Sequence, residues 1–416
     1  MKKNSILLSF IMIIGINYIA FSQQKTESGM GIDVTGYIKT DIFYDTRQTV
    51  AYREGQFFLY PANELLDKNG NDLNAKQNFN ILSIQSRLTG KITGPDFLGA
   101  KTSGLLEGEF FGTSDGDING FRIRHAFVQL DFENTSLMVG QYWHPMFVAE
   151  VFPGVVSFNT GAPFQPFSRN PQIRITQSIN GFKIIGAIAS QRDFQSNGPS
   201  GFSSTYLRNA VIPDANLQLQ LKFSDNIIGL GGEYKKIQPR LFTQKNNQTY
   251  ETNEMVESNA VMAYLKLNYK PITFKCEGVY GSNLADMLML GGYAVKTTDT
   301  LTGRETYTTL GMYSIWGELI VGKELEFAVF SGYTKNLGAK DNIDGAYYTR
   351  VSNSNIDNVL RVSPRIQWNT GKLRLSGELE YTSAAYGTVS NSDKGKVINT
   401  KQIADYRLLL ALYLFF

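Results

Sequence analysis

The sequence closes on DYRLLLALYLFF (residues 405–416), nine nearly unbroken apolar residues from Leu408 to Phe416 with no polar tail after them. A helix that crosses a bilayer needs roughly 20 apolar residues, whereas a tilted strand needs about 9–11. The stretch is too short for the first and right for the second. Tyr406, Leu408, Leu410, Leu412, Leu414 and Phe416 fall on one face of such a strand. A buried closing strand of a soluble protein has the same length, so this segment alone leaves both readings open.

The other end reads as an export signal. MKK supplies positive charge, SILLSFIMIIGINYIAF (5–21) an apolar core, and Ser22 a small residue before QQKTES. The expected organisation is a signal peptide over 1–22, a short periplasmic segment over 23–33, and one domain over 34–416. About ten residues before the first strand leave no room for a plug domain. The single cysteine, Cys276, forms no internal disulfide. The formal charge is +3, and loss of Lys2 and Lys3 with the signal leaves about +1. No clustered basic footprint for nucleic acid is present.

Period-two alternation recurs along the chain. In NLQLQLKFS, Leu217, Leu219, Leu221 and Phe223 oppose Gln218, Gln220 and Lys222. VLRVSPRIQWN sets Leu360, Val362, Ile366 and Trp368 against Arg361, Ser363, Arg365 and Gln367. KLRLSGELEYT sets Leu373, Leu375 and Leu379 against Arg374, Glu378 and Glu380; ILSIQSRLTGKI sets Leu82, Ile84, Leu88 and Ile92 against Gln85, Arg87, Thr89 and Lys91. Connections then separate a sandwich from a membrane barrel. Tight turns alternate strictly with long loops, near 47–78, 113–119, 144–169, 191–213, 237–257, 282–309, 336–357 and 387–401. Outer-membrane barrels have this asymmetry of short periplasmic turns and long outer loops. The predicted fold is all-β: a transmembrane antiparallel β-barrel of about 16 strands, wide enough to keep a lumen, with an inward-folded third outer loop.

That third loop, HPMFVAEVFPGVVSFNTGAPFQPFSRN, is too rich in Phe, Val and Pro to be displayed in water. Folded into the lumen, it would act as a constriction carrying His144, Phe147, Phe152, Phe158, Phe164 and Arg169. The interior faces carry Arg87, Lys91, Arg174, Arg361, Arg365 and Arg374. Arg122 and Arg124 in FRIRHAFVQLDF join them, in a strand whose alternation slips near His125. Cations near a pore midpoint attract anions, and guanidinium forks match carboxylate and phosphate. Pairing with Glu107, Glu109, Glu378 and Glu380 would instead hold a wet interior together with little selectivity.

Other signals are weaker. DGDING (115–120) opens like a calcium loop, but Ala126 stands where the bidentate Glu belongs. His125 and His144 lack any nucleophile motif that would make a hydrolase. No catalytic residue, metal or cofactor is expected.

TGYIKTDIFYD, QSRLTGKI, LEGEFFG, FRIRHAFVQLDF, VGQYWHPMF and FSRNPQIRIT occur in the order seen in DcaP-like trimeric outer-membrane porins. The chain resembles that family over about residues 34–190 and more loosely beyond. The resemblance implies a trimeric channel for small, often anionic solutes such as dicarboxylates, with Arg87, Arg122, Arg124 and Arg174 at matching basic positions. It also implies lipid and lipopolysaccharide as surroundings and the barrel-assembly machinery as a partner that reads the last strand. The coiled-coil extension of DcaP has no counterpart here, so a trimer would rest on barrel walls. Composition suggests a Bacteroidota-type Gram-negative cell. The expected function is an outer-membrane porin, a passive diffusion channel that favours anions; a surface receptor or adhesin using the long loops is the alternative.

Overall fold

The computed structural model describes residues 30–350 and 355–416. The signal peptide and most of the 23–33 segment lie outside them. Sixteen antiparallel strands form one closed sheet. In chain order they are β1 Gly31–Asp45, β2 in two parts (Asn78–Leu82 and Arg87–Thr93), β3 Lys101–Glu109, β4 Arg122–Asp131, β5 Thr135–Trp143, β6 Arg169–Ile179, β7 Phe182–Ala189 and β8 Asp214–Phe223. There follow β9 Asn226–Ile237, β10 Val256–Tyr269, β11 Ile272–Ser282, β12 Glu305–Gly322, β13 Leu325–Ala339, β14 Ile356–Thr370, β15 Leu373–Ser390 and β16 Lys396–Phe415. The closing strand answers the opening question. It pairs with β1 from Tyr37↔Phe415 to Asp45↔Arg407, so no edge remains.

The lipid-facing belt follows the sequence alternation. Leu408, Leu410, Leu412 and Leu414 are 45–54% exposed on the outside, while Leu409 and Ala411 between them are buried. Leu217, Leu219, Leu221 and Phe223 of β8 point outward, with Gln218 and Gln220 buried within. An apolar belt of this extent is stable only against hydrocarbon. Tight turns close one end of the barrel. At residues 180–181, Asn180 and Gly181 both adopt positive φ, 49° and 84°, the backbone of a type I′ hairpin turn whose twist matches its strands.

Two expectations change and one is explained. First, Leu82 and Ile84 do not share the face of Leu88. Register runs from Asp41↔Leu82 to Tyr37↔Arg87, so four residues of β2 oppose three of β1. The extra residue flips the alternation, and Leu82 and Ile84 join the interior apolar cluster. Second, the slip near His125 is a β-bulge: Glu107 pairs with His125 and Gly108 with Ile123, leaving Arg124 unpaired in the ladder. Arg124 and His125 are both buried, while Ile123 and Val128 remain outside. Third, 387–401 is mostly strand, because β15 and β16 continue to Ser390 and from Lys396. Above the lipid a strand needs only backbone pairing, so an apolar face is no guide to its length.

Candidate functional site

The interior is organised by charge. Register sets Arg87 opposite Glu109 on β3 and Glu109 opposite Arg122 on β4. Fully buried Glu109 therefore collects guanidiniums: Arg122 at 2.6 Å, Arg124 at 2.7 Å, Arg87 at 3.3 Å and Arg169 at 3.6 Å. Glu107 takes Arg124 Nε at 2.8 Å and the Thr89 hydroxyl at 2.8 Å. From the loop after β7, Asp193 adds a third carboxylate, 2.7 Å from Arg169 and 3.4 Å from Arg122. Burial alone would raise the Asp193 carboxyl, but the Arg169 and Arg122 guanidiniums hold it below its usual range. Four arginines thus share three carboxylates. Each ion is desolvated and survives only through these partners.

Arg174 differs. It donates to Gln172 Oε1 at 3.1 Å and Trp143 O at 2.7 Å, lies over the Tyr142 ring, and has no carboxylate partner among the described residues. Lys91 sits two places beyond Thr89 on the same face, exposed near the tight-turn end and without an ion pair among the described residues. Arg361 is a correction to the pore-lining set. It is fully buried, donating to Ala162 O at 2.9 Å, Leu59 O at 2.6 Å and Thr382 Oγ1 at 2.9 Å, with Phe58 and Phe164 over its faces. Its fork is spent on loop carbonyls and has no access to a solute. Arg365 is likewise held by Glu318 and by Glu326 at 3.0 Å.

Residues 144–168 hydrogen-bond with side chains of β1, β11, β12 and β15. Gly154 N donates to both Glu318 oxygens at 2.9 Å, and Val156 N to Glu378. Lys39 Nζ reaches Val156 O at 2.8 Å, Asn159 Nδ2 reaches Glu380 at 2.9 Å, Ser314 Oγ reaches Phe164 O at 2.9 Å, and Lys275 Nζ reaches Phe152 O at 3.1 Å. The aromatic residues of this segment mostly face away from open space, contrary to expectation. Phe158 stacks on Phe111 at 3.9 Å and Phe147 on Trp143 at 3.8 Å, while Phe164 is fully buried. Apolar side chains released from the belt rule by the loop pack on one another, Phe167 of the same segment included, and are joined by Phe57 of the loop after β1. Of the four, Phe152 borders two cavities and Phe158 one of them; Phe152 is the less buried. It lies beside a cavity of about 420 Å³ lined by Arg87, Arg124, Arg374 and Tyr37, and one of about 480 Å³ lined by Lys222, Lys266 and Lys275.

Both histidines are buried. His144, Asp214 and Glu233 come together at the loop's origin. His144 Nδ1 accepts from Met146 N at 3.2 Å, so Nε2 carries the proton and donates to Asp214 Oδ2 at 3.1 Å. That tautomer makes a hydrogen-bonded latch and leaves no ring lone pair for a metal. Burial pushes the imidazole below its usual value, which keeps it neutral. His125 packs against Tyr142 and Trp143, with Glu107 3.6 Å away. Arg169, expected at the loop's end, opens β6 inside the arginine cluster.

Sequence reading missed Lys39–Asp41 (3.0 Å), Arg407–Asp45 (2.6 Å) and Lys235–Asp286 (2.5 Å). The alternation assigns Lys39, Asp41, Asp45 and Arg407 to wet faces, but nothing in it reveals which strands bring them together.

No family model matches the chain, and no curated protein matches it. Solved structures do. The backbone is similar to the outer membrane channel DcaP of Acinetobacter baumannii, with a TM-score of 0.69 at 13% identity over 95% of this chain and 100% of that one. It is also similar to OmpT, an outer membrane protein of Vibrio cholerae, with a TM-score of 0.56 at 9% identity over 95% and 100%. A trimer form of OmpT gives 0.54 at 10% identity over 93% and 99%. The chain folds as an outer-membrane β-barrel of the porin type. The resemblance read from the motifs is matched at the level of fold.

Proposed function

We propose that this barrel is a porin, a passive diffusion channel for small hydrophilic solutes with a preference for anions, narrowed by residues 144–168 and assembled as a trimer. The observation that carries this reading is a closed sheet, apolar outside and polar within, several of whose strands hydrogen-bond with the long segment between β5 and β6. Solutes fall down their own gradient, and the enclosing charges decide which enter. Preference for anions is supported by cations that outnumber carboxylates among Arg87, Arg122, Arg124 and Arg169, and by Arg174, which lacks an acidic partner. The long segment limits solute size through its backbone and Phe152 rather than through its buried rings. A trimer with contacts between barrel walls is supported by the apolar outer faces and by the trimer form of the similar barrel OmpT.

Reconstitution in planar bilayers under a KCl gradient tests the reading. The expected result is a stepwise conductance with a reversal potential of anion-selective sign. Cation preference rejects the selectivity. A barrel sealed to ions and to small solutes in liposomes rejects the channel and favours a receptor using the outer loops. Cross-linking in native-like membranes is expected to capture three copies.

A further inference from the structure

The loop between β1 and β2 carries a hairpin of its own, separate from the barrel sheet. Its two arms pair from Thr49↔Pro61 to Tyr52↔Phe57. A second hairpin, Phe242–Lys245 with Gln248–Glu251, lies in the loop between β9 and β10. The two have opposite surroundings. Phe242 is 52% exposed and most of its hairpin stands in solvent, whereas Phe57, Phe58, Leu59 and Tyr60 are at most 2% exposed.

The contacts of the first hairpin place it inside the barrel. Gln56 Nε2 donates to Asp41 Oδ2 at 2.5 Å. Asp41 is buried on β1, four residues below the outer end at Asp45, which is about 13 Å along the strand. Arg407 Nη1 of β16 donates to Gly55 O at 2.8 Å, Arg361 Nη2 of β14 to Leu59 O at 2.6 Å, and Tyr386 Oη of β15 to Pro61 O at 2.7 Å. Phe58 lies against both guanidiniums. On its other side Phe57 meets Phe158 and Phe167 of the 144–168 segment, and Phe194 of the loop after β7. In a ring of sixteen strands β7 stands nearly opposite β14 to β16, so the hairpin reaches from one wall across the lumen. A ribbon with its side chains is about 10 Å thick.

The tip is shaped for this seat. Arg53, Glu54 and Gly55 have φ of 55°, 51° and 89°, a costly run for the first two that persists only where the surroundings impose it. Here they do. Arg53 N donates to Asp115 Oδ1 at 2.7 Å and Arg53 Nε to Phe111 O at 3.1 Å, while Glu54 O accepts from Asn80 Nδ2 at 3.1 Å. Arg361 also joins the two inward segments, since its Nη1 donates to Ala162 O at 2.9 Å.

We infer that the hairpin 49–61 is a plug in the outer part of the lumen and that it, more than the 144–168 segment, sets the largest solute the channel passes. This rests on the channel reading and assigns its size limit to the first outer loop.

The hairpin can be excised cleanly, because Ala62 N already donates to Gln48 O at 2.9 Å across its base. Replacing residues 49–61 by Asn-Gly closes that pair with a two-residue turn. Conductance in planar bilayers is expected to rise about twofold, because a ribbon about 10 Å thick no longer obstructs the lumen. In liposome swelling, raffinose is expected to enter through the excised barrel and not through the wild type. Excising 242–251 in the same way is expected to change neither. Phe58→Ala keeps the hairpin, removes the ring between Arg361 and Arg407, and is expected to raise conductance by a smaller step. Unchanged conductance and size limit in both the excised barrel and Phe58→Ala overturn the plug and leave the channel. The seat itself is read without transport. In a Cys276→Ser background, Leu59→Cys is expected to resist a water-soluble maleimide that labels Lys245→Cys within minutes. Equal labelling of the two overturns the buried seat. No conductance in wild type or excised barrel, with Leu59→Cys protected, rejects the channel and the size limit with it, while the seat stands.

Discussion

The wall of β2 to β6 and the wall of β8 to β11 are both rich in cations, yet they use them in opposite ways. On the first, Arg87, Arg122, Arg124 and Arg169 close around Glu107, Glu109 and Asp193, each guanidinium within 4 Å of a carboxylate. On the second, Lys222 and Lys266 border a cavity that Glu150 and Asp225 also line, yet neither lysine forms an ion pair among the described residues. Counting basic residues would rank the arginine wall as the stronger anion attractor. Pairing reverses that order for binding, because a fork already filled by a carboxylate has little left for a solute. What remains of the arginine wall is a modest excess of field, while most of its work is to hold the sheet and the 144–168 segment together.

The sharpest break of this contrast is Glu109→Gln. Removing the carboxylate shared by four guanidiniums leaves buried charge uncompensated, at a cost of about 3–5 kcal/mol, read as a lower urea midpoint for the barrel in lipid vesicles by the fluorescence of Trp143, Trp316 and Trp368. The same change is expected to strengthen anion selectivity by freeing arginine. An unaltered midpoint means the pairs contribute nothing. Phe158→Ala comes next. It removes the ring stacked on Phe111 beneath Arg122 and Arg53, costs about 3 kcal/mol in lost packing, and is expected to raise single-channel conductance by loosening the loop. Arg174→Gln loses two hydrogen bonds and no ion pair, about 1 kcal/mol, with a measurable shift of reversal potential toward zero. Lys222→Gln is smallest in stability, within about 0.5 kcal/mol as for other unpaired surface-like positions. Should its reversal potential also stay fixed, the two walls would be equivalent after all.

Much of the barrel is legible without coordinates, for a reason that differs by region. Lipid admits only apolar side chains, so each strand that touches it writes its facing directly into the sequence. The outward sets of β8, β14, β15 and β16 follow the alternation residue by residue. Where lipid stops, the signal fades: the outer extensions of β15 and β16 read as loop because solvent accepts any residue. Local irregularities are half legible. The bulge at Arg124 announces itself as a broken alternation in FRIRHAFVQLDF, whereas the extra residue after Leu82 hides behind apolar residues that look equally at home on either face.

The interior is where sequence reading runs short. Arg361 and Arg174 are both arginines on wet faces, yet one is buried among loop carbonyls and the other lines the barrel beside Trp143. Period two determined the strands, their outward faces and, away from the irregularities at Leu82–Arg87 and Arg124, the inward residues, because each of these depends on neighbours in the chain or on contact with lipid. Only the tertiary structure decided which cations meet an acid, which rings of 144–168 bury themselves, and which lysines stay unpaired. Those outcomes depend on register between strands up to hundreds of residues apart, as between Asp45 and Arg407, and no local pattern encodes that distance.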